Sequence, residues 1–241
     1  MATVRQHYEE VLADVYSWMS GGFDTGLQRN RKFINKHNLI PKGSGIAVDL
    51  GSGCGFQSIP LAEAGYSVTA VDLDSRLLDE LRTNSKDLQV RIVQGDLMDF
   101  DNVITGETEL IVCMTDTLVH LDSKDTASLL FSKVFSALEP GGKFIITFRD
   151  LTHELKDQDR FIPVRSDDNT VFTCFLEFEP EIVKVYDIVY RKIEGNWKLF
   201  KSFYKKLRLS KKWVEEKLLE CGFKLVESGI ENGLITIIVS K

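Results

Sequence analysis

The sequence predicts an α/β fold with a seven-stranded, mostly parallel sheet closed by a terminal antiparallel hairpin, and with an antiparallel β insertion after the fifth strand. Three observations carry that prediction. From Ile46 to Asp74 the chain reads strand, glycine loop, helix, strand and then an acidic residue, which is the opening unit of a doubly wound sheet. Up to residue 150 short apolar runs alternate with helical patterns, an order that demands parallel strands and right-handed crossovers. Beyond residue 168 the alternation gives way to long strand-like runs, and the chain ends on two strands joined by Glu231-Asn232-Gly233, a strong hairpin turn.

Each element follows from local pattern. Val4, Tyr8, Val11, Leu12, Val15 and Met19 share one helical face over residues 4–19, with Tyr16 and Trp18 beside it. Gly21-Gly22 ends that helix, and a second covers residues 25–37. Residues 46–50 form an apolar strand, residues 56–64 a helix closed by Gly65, and residues 67–71 a second strand. Ser75 is placed to cap a helix bearing Leu77, Leu78 and Leu81. Strands three and four fall at 89–94 and 109–114; Ser123 caps the helix after them, and Pro140-Gly141-Gly142 turns the chain into strand five at 143–148. Residues 151–168 are polar and read as a loop around Pro163. The runs 170–179, 181–194 and 196–209 follow with hairpin-sized joints, and Phe172, Cys174, Leu176 and Phe178 alternate onto one face of the first. Ser210 caps a last helix, Gly222 ends it, and residues 223–229 and 234–240 are the closing strands. One domain is expected over residues 1–241: a helical lid (1–40), a ligand-binding core (41–150), the insertion (151–209) as a second lid, and the closing helix and hairpin (210–241).

Composition narrows the function classes. An apolar content of 43% gives the chain a real core, and a net charge of −6 argues against a dedicated nucleic-acid binder. Cys54, Cys113, Cys174 and Cys221 stand far apart without a Cys-x-x-Cys pair, as reduced cytosolic thiols do. The start carries no apolar signal segment and no stretch approaches membrane-spanning length, so a soluble, cytoplasmic protein with no membrane partner is expected. Histidines 7, 37, 120 and 153 and the cysteines have no metal-ligand spacing, and no metal is expected.

The glycine loop departs from the dinucleotide pattern, which disfavours that ligand. That site wants Gly-x-Gly-x-x-Gly, and here Phe56 stands where the third glycine would fall after Gly51 and Gly53. Asp72, at the end of strand two, suits ribose hydroxyls, and Asp96 in Gly95-Asp96-Leu97 adds a second acceptor suited to an exocyclic amine. Together Val48-Asp49-Leu50-Gly51-Ser52-Gly53-Cys54-Gly55, Val71-Asp72, Gly95-Asp96-Leu97 and Leu138-Glu139-Pro140-Gly141-Gly142-Lys143-Phe144 resemble the ordered motifs of the class I S-adenosylmethionine-dependent methyltransferases. The resemblance covers residues 25–150 and returns at 210–241; it implies a Rossmann-like fold with S-adenosyl-L-methionine as cofactor and S-adenosyl-L-homocysteine as product.

The same resemblance implies the roles of individual residues. Gly51, Ser52, Gly53 and Gly55 would pass beneath the methionine part of the cofactor, and Asp49 would orient its amino group. Asp72 would take the ribose and Asp96 the adenine amine, with Leu73, Leu97 and Met114 completing the wall. Arg31, or Arg29, would reach the methionine carboxylate. The acceptor pocket would lie at the ends of strands four and five under the insertion, an arrangement similar to that of glycine N-methyltransferase. There His120 is the candidate general base, its alternative being a helix-start histidine held locally. Asp116 lines the pocket or binds a loop; Arg149 anchors an acidic substrate group or pairs with Asp150 or another neighbour. Tyr16 and Trp18 are lid candidates that fit core packing as well.

The strand-four end lacks the Asn/Asp-Pro-Pro-aromatic motif of nucleic-acid amino-methyltransferases, which argues against a flipped base as acceptor. The basic run Lys198, Lys201, Lys205, Lys206, Arg208, Lys211 and Lys212 reads as the solvated side of a sheet, or as a surface for an acidic partner. The reading is a transferase that moves a methyl to a nitrogen, oxygen or sulfur of a small molecule. Its alternatives are a protein or RNA methyltransferase, a non-catalytic cofactor-binding protein and a nicotinamide oxidoreductase. Monomer and homodimer are equally compatible with the sequence.

Overall fold

A computed structural model of the chain describes residues 4–241; residues 1–3 and the side chains of residues 4 and 5, at the start of the expected N-terminal lid, lie outside the described residues. Five strands run parallel: β1 (Ile46–Leu50), β2 (Ser67–Asp72), β3 (Val90–Gln94), β4 (Thr108–Cys113) and β5 (Leu138–Arg149). An antiparallel sheet follows, built from β6 (Phe161–Ser166), β7 (Thr170–Phe178), β8 (Ile182–Ile193) and β9 (Asn196–Leu207) in that order. The chain then returns as β10 (Lys224–Glu231) and β11 (Leu234–Ser240), and the large sheet reads β10-β11-β5-β4-β1-β2-β3. β11 lies antiparallel between β5 and β10, so the closing hairpin shields one edge. Its two-residue turn places Asn232 (φ 51°) and Gly233 (φ 75°) in the left-handed region that such a turn requires.

The strand order reverses beside β1, so the carboxyl ends of β1 and β4 flank a crevice. Val48, Leu50, Ile111, Phe144 and Phe148 of the sheet bury one face against Phe131 and Leu130 of α6 (Lys124–Ala137) and Leu218 of α7 (Lys211–Glu220). The other face packs on Ile34 of α3 (Phe23–Lys36), Leu61 of α4 (Ser58–Glu63) and Leu77, Leu78 and Leu81 of α5 (Ser75–Asn84). Buried on both faces, the central strands read as apolar runs instead of alternating ones.

Three local expectations are corrected. The stretch 151–168 is not all loop: β6 pairs with β7, and Pro163 is tolerated because β6 is an edge strand with a register shift between Pro163 and Arg165. Asp74, not Ser75, caps α5, its carboxylate accepting from the backbone of Arg76 and Leu77. The first helix is not regular: α1 (Val4–His7) passes into a π-helical turn (Tyr8–Leu12), a 3-10 turn (Ala13–Val15) and α2 (Tyr16–Met19). This irregular arm lies against the antiparallel sheet, where Val11, Leu12 and Val15 bury Phe172 and Val189. No helix among the described residues is long and apolar enough to cross a membrane.

Candidate active site

The glycine loop between β1 and α4 is held from beneath. Asp49, buried at the end of β1, accepts the Ser58 hydroxyl at 2.6 Å and so ties the strand to the start of α4. Burial, then the nearby Asp72 charge, pushes the Asp49 carboxyl up to about 7 despite that hydrogen bond. Gly51 sits at φ 74°, and a Cβ there would fall 2.4 Å from the Thr117 methyl, so only glycine fits. Phe56 fills the place of a third glycine: its ring packs near Tyr16 and Phe23, and the bare Gly26 of α3 makes room for it.

At the end of β4 the backbone turns through two left-handed residues, Thr115 (φ 56°) and Asp116 (φ 71°). This costly conformation is held by Thr115 N donating to Thr147 Oγ1 at 2.7 Å and Asp116 N to the Thr147 carbonyl at 3.2 Å. It directs Thr115 and Thr117 toward the crevice and buries the Asp116 side chain, whose carboxylate receives Lys206 Nζ at 2.8 Å and the Arg149 guanidinium. Burial alone would raise the Asp116 carboxyl, but Lys206 and Arg149 hold it well below the usual carboxylate range.

These elements enclose a cavity of about 580 Å³, within the range of ligand sites. Its floor is Gly51 and Gly53; Asp72, Leu73, Asp96 and Leu97 form one side. Tyr8 and Tyr16 of the arm, His120, and Ile182, Lys205 and Leu207 of the insertion close the other. His120 is half-buried beside two rings, 5.2 Å from Tyr204 and 6.2 Å from Tyr8 between centroids, and its buried Nδ1 has no hydrogen-bond partner among the described residues. Burial and then Lys206 lower His120 to about 3, so its imidazole is neutral at physiological pH.

Other expected site residues stand elsewhere. Arg31 is engaged by Glu63 in a two-bond pair at 2.6 and 2.7 Å and does not line the cavity. Met114 packs in the core with Ile34, Leu39 and Leu61. Trp18 donates to Asp167 at 2.6 Å under Arg165, joining the arm to the insertion. Asp116 and Arg149 serve one another and Lys206, not the cavity wall. Asp49, Ser52 and Gly55 support the loop from inside; a Cβ on Gly55 would strike Leu81. Of the basic run, Lys206 and Arg208 are consumed internally and Lys211 and Lys212 pair within α7.

A family model described as a methyltransferase domain matches residues 47–142, the part that holds the glycine loop, Asp72 and Asp96. That match, with the relatives and solved structures below, supports a class I S-adenosylmethionine-dependent methyltransferase domain in this part of the chain. It is 28% identical over 114 residues to a glycine/sarcosine N-methyltransferase from Halorhodospira halochloris, covering 46% of this chain and 42% of that protein. It is 25% identical over 185 residues to the putative methyltransferase YqeM of Bacillus subtilis (strain 168), covering 75% and 74% of the two. The chain thus spans less than half the length of the first of these relatives. In fold it is similar to an S-adenosylmethionine-dependent methyltransferase from Clostridium acetobutylicum ATCC 824, with a TM-score of 0.74 at 20% identity over 97% of this chain and 95% of that one.

The cavity fits S-adenosylmethionine, the cofactor of the methyltransferases this chain resembles. Asp72 accepts Gly53 N at 2.8 Å through Oδ2 and Asp74 N at 2.9 Å through Oδ1, which leaves a second lone pair on each oxygen for a diol. Asp96 uses one oxygen on Met98 N, and its other is unpaired among the described residues. Leu73, Leu97 and Met98 supply apolar wall between them. Sequence reasoning missed Tyr8, Thr117, Ile182, Lys205 and Leu207 as lining. Ile182 and Leu207 are direct cross-strand partners at one end of β8 and β9, and only the docking of the insertion brings them to the cavity.

Proposed function

We propose that this chain transfers a methyl group from S-adenosylmethionine to the nitrogen of a small-molecule amine. When bound, the cofactor supplies a methyl on a positively charged sulfur, already activated for displacement. Asp72 would hold the ribose hydroxyls, Asp96 the adenine amine, and Leu73 and Leu97 the adenine ring, while the Gly51–Gly53 backbone leaves room for the methionine part. The remaining wall, formed by Tyr8, Tyr16, His120, Ile182 and Leu207, would hold the acceptor lone pair in line and keep water out.

The observation that carries the choice of nitrogen is that His120, the candidate base in that half of the cavity among the described residues, is poorly placed to take a proton. His120 has no carboxylate on its Nδ1 to support a transferred proton, and its burial keeps it neutral and weakly basic. Burial likewise pushes the Tyr8 and Tyr16 hydroxyls above their ordinary values. An alcohol needs a proton removed before or during transfer, whereas an amine can lose its proton to solvent before entering. The glycine/sarcosine relative, whose name declares an amine acceptor, supports the same reading.

The test is a mass-shift assay over matched amines, alcohols and thiols, preceded by thermal-shift measurements. S-adenosylhomocysteine is expected to raise the melting temperature and NADH to leave it unchanged; +14 Da products (one added CH₂) are expected with amines only. Transfer to alcohols at comparable rates, or stabilisation by NADH alone, overturns the reading.

A further inference from the structure

A buried polar pair outside the cavity is unused by the chemistry above. His7, on the arm, is fully buried, and its Nε2 lies 2.8 Å from Asp187 Oδ2 on β8, itself 1% exposed. The second oxygen of Asp187 accepts the Cys174 thiol of β7 at 2.9 Å. The geometry has Nε2 donating to the carboxylate, and Nδ1 is left without a partner among the described residues. A desolvated polar group with an unmet nitrogen is costly, and well-packed apolar residues would join the arm to the sheet at least as well. What the pair adds over apolar packing is a fixed direction.

The surrounding rings show what that direction sets. The His7 ring packs on Tyr204 at 4.3 Å between centroids, and Tyr204 packs on His120 at 5.2 Å. The next residue, Tyr8, approaches His120 from another side at 6.2 Å and Tyr16 at 6.1 Å. The π-helical turn begins directly at Tyr8, a widened geometry often found at functional positions. His120 is therefore walled by two tyrosines that both adjoin His7, one through the chain and one through a tilted ring contact. Tyr16 stands farther along, over Gly53.

We propose that His7 and Asp187 are positioning residues for the acceptor half of the cavity: their buried hydrogen bond locks the N-terminal arm to the insertion and thereby fixes Tyr8 and Tyr204 around His120. This rests on the amine-methyltransferase reading for its kinetic test, and not for its structural one.

The experiment compares the full chain with His7→Ala and His7→Gln, the latter restoring a side-chain N–H donor toward Asp187. His7→Ala is expected to raise the acceptor KM at least ten-fold, with S-adenosylhomocysteine affinity within about three-fold of the parent. His7→Gln is expected to recover most of the acceptor KM. Hydrogen exchange by mass spectrometry gives a readout independent of turnover: amides of residues 8–16 should exchange faster in His7→Ala, while those of β1, β4 and β5 do not change. Where His7→Ala does not fold, Asp187→Leu, which keeps roughly the volume and removes both acceptor oxygens, is expected to give the same pattern.

A lowered melting temperature with unchanged acceptor KM and unchanged exchange at 8–16 marks the pair as merely structural and overturns the proposal. If the parent methylates no acceptor, the functional reading fails, and the exchange result alone decides the proposal: faster arm exchange upholds it, unchanged exchange overturns it.

Discussion

At the scale of single residues, Asp72 and Asp96 line the same side of the cavity in different settings, and variants should separate the roles proposed for them. Asp72 braces two backbone amides beside the glycine loop; Asp96 is exposed and caps one turn. Hydrogen bonds to charged groups contribute about 1.5–3 kcal/mol, so either change to alanine should weaken S-adenosylhomocysteine binding by about 10- to 100-fold in calorimetry. Only Asp72→Ala should also lower the melting temperature of the free protein, because it orphans Gly53 N and Asp74 N; equal stability losses from both variants would contradict this. That both aspartates line the cavity was legible in the sequence, because each ends or follows a strand at the carboxyl edge of a parallel sheet, where the crevice lies. The places of Arg31, Met114 and Trp18 were not, because their partners Glu63, Leu61 and Asp167 are set by packing between segments distant in the chain. Asp116 and Arg149 were identified as neighbours of the site, but the cation that completes their cluster, Lys206, belongs to β9.

At the scale of elements, the insertion's own segments are tied to one another by polar contacts, and Arg208 makes several of them. Its guanidinium donates to the carbonyls of Leu151 (3.1 Å), Thr152 (2.7 Å) and Glu179 (2.7 Å) and to Glu154, with the side chain 11% exposed. It therefore gathers the segment after β5, the β7–β8 turn and the end of β9 at one point. Lysine cannot match that planar fork. Arg208→Lys should cost about 1–3 kcal/mol, read as a fall of roughly 3–10 °C in melting temperature. It should also raise the acceptor KM, since Ile182 and Leu207 lie at the same end of the sheet; a variant with parental stability would remove this anchor from the account. The three long insertion strands were legible from alternation and short joints. β6 was hidden because Pro163 interrupts its pattern, and only an edge position excuses a proline there. The arm was hidden differently: its apolar residues keep helical spacing, while its backbone passes through π and 3-10 turns that periodicity does not register.

For the whole molecule, two desolvated groups, buried Asp49 and half-buried His120, give stability opposite dependences on pH, and removing one should unmask the other. His120 is held at about 3 when folded, first by burial and then by Lys206, against about 6.5 unfolded. Between those values the unfolded chain binds more protons, so this contribution is present near neutrality and is lost as pH falls below about 6.5. Asp49 is raised to about 7 when folded, mainly by burial and then by Asp72, against about 3.9 unfolded. Between those values the folded chain binds more protons, so its contribution is lost as pH rises toward 7. Over pH 5–7 each amounts to about 2 kcal/mol at 1.36 kcal/mol per pKa unit, and in the parent they largely offset. Relative to the parent without cofactor, His120→Gln should therefore be more favourable at pH 5 than at pH 7, and Asp49→Asn more favourable at pH 7 than at pH 5. Differential scanning calorimetry at both pH values reads the two differences. Variant-minus-parent shifts of equal size at pH 5 and 7 would mean that these groups titrate alike in the folded and unfolded chains. Because Asp49 ties β1 to α4 under the glycine loop and His120 lies against the arm and insertion, the opposed slopes would also report separately on the cofactor and acceptor sides of the same cavity.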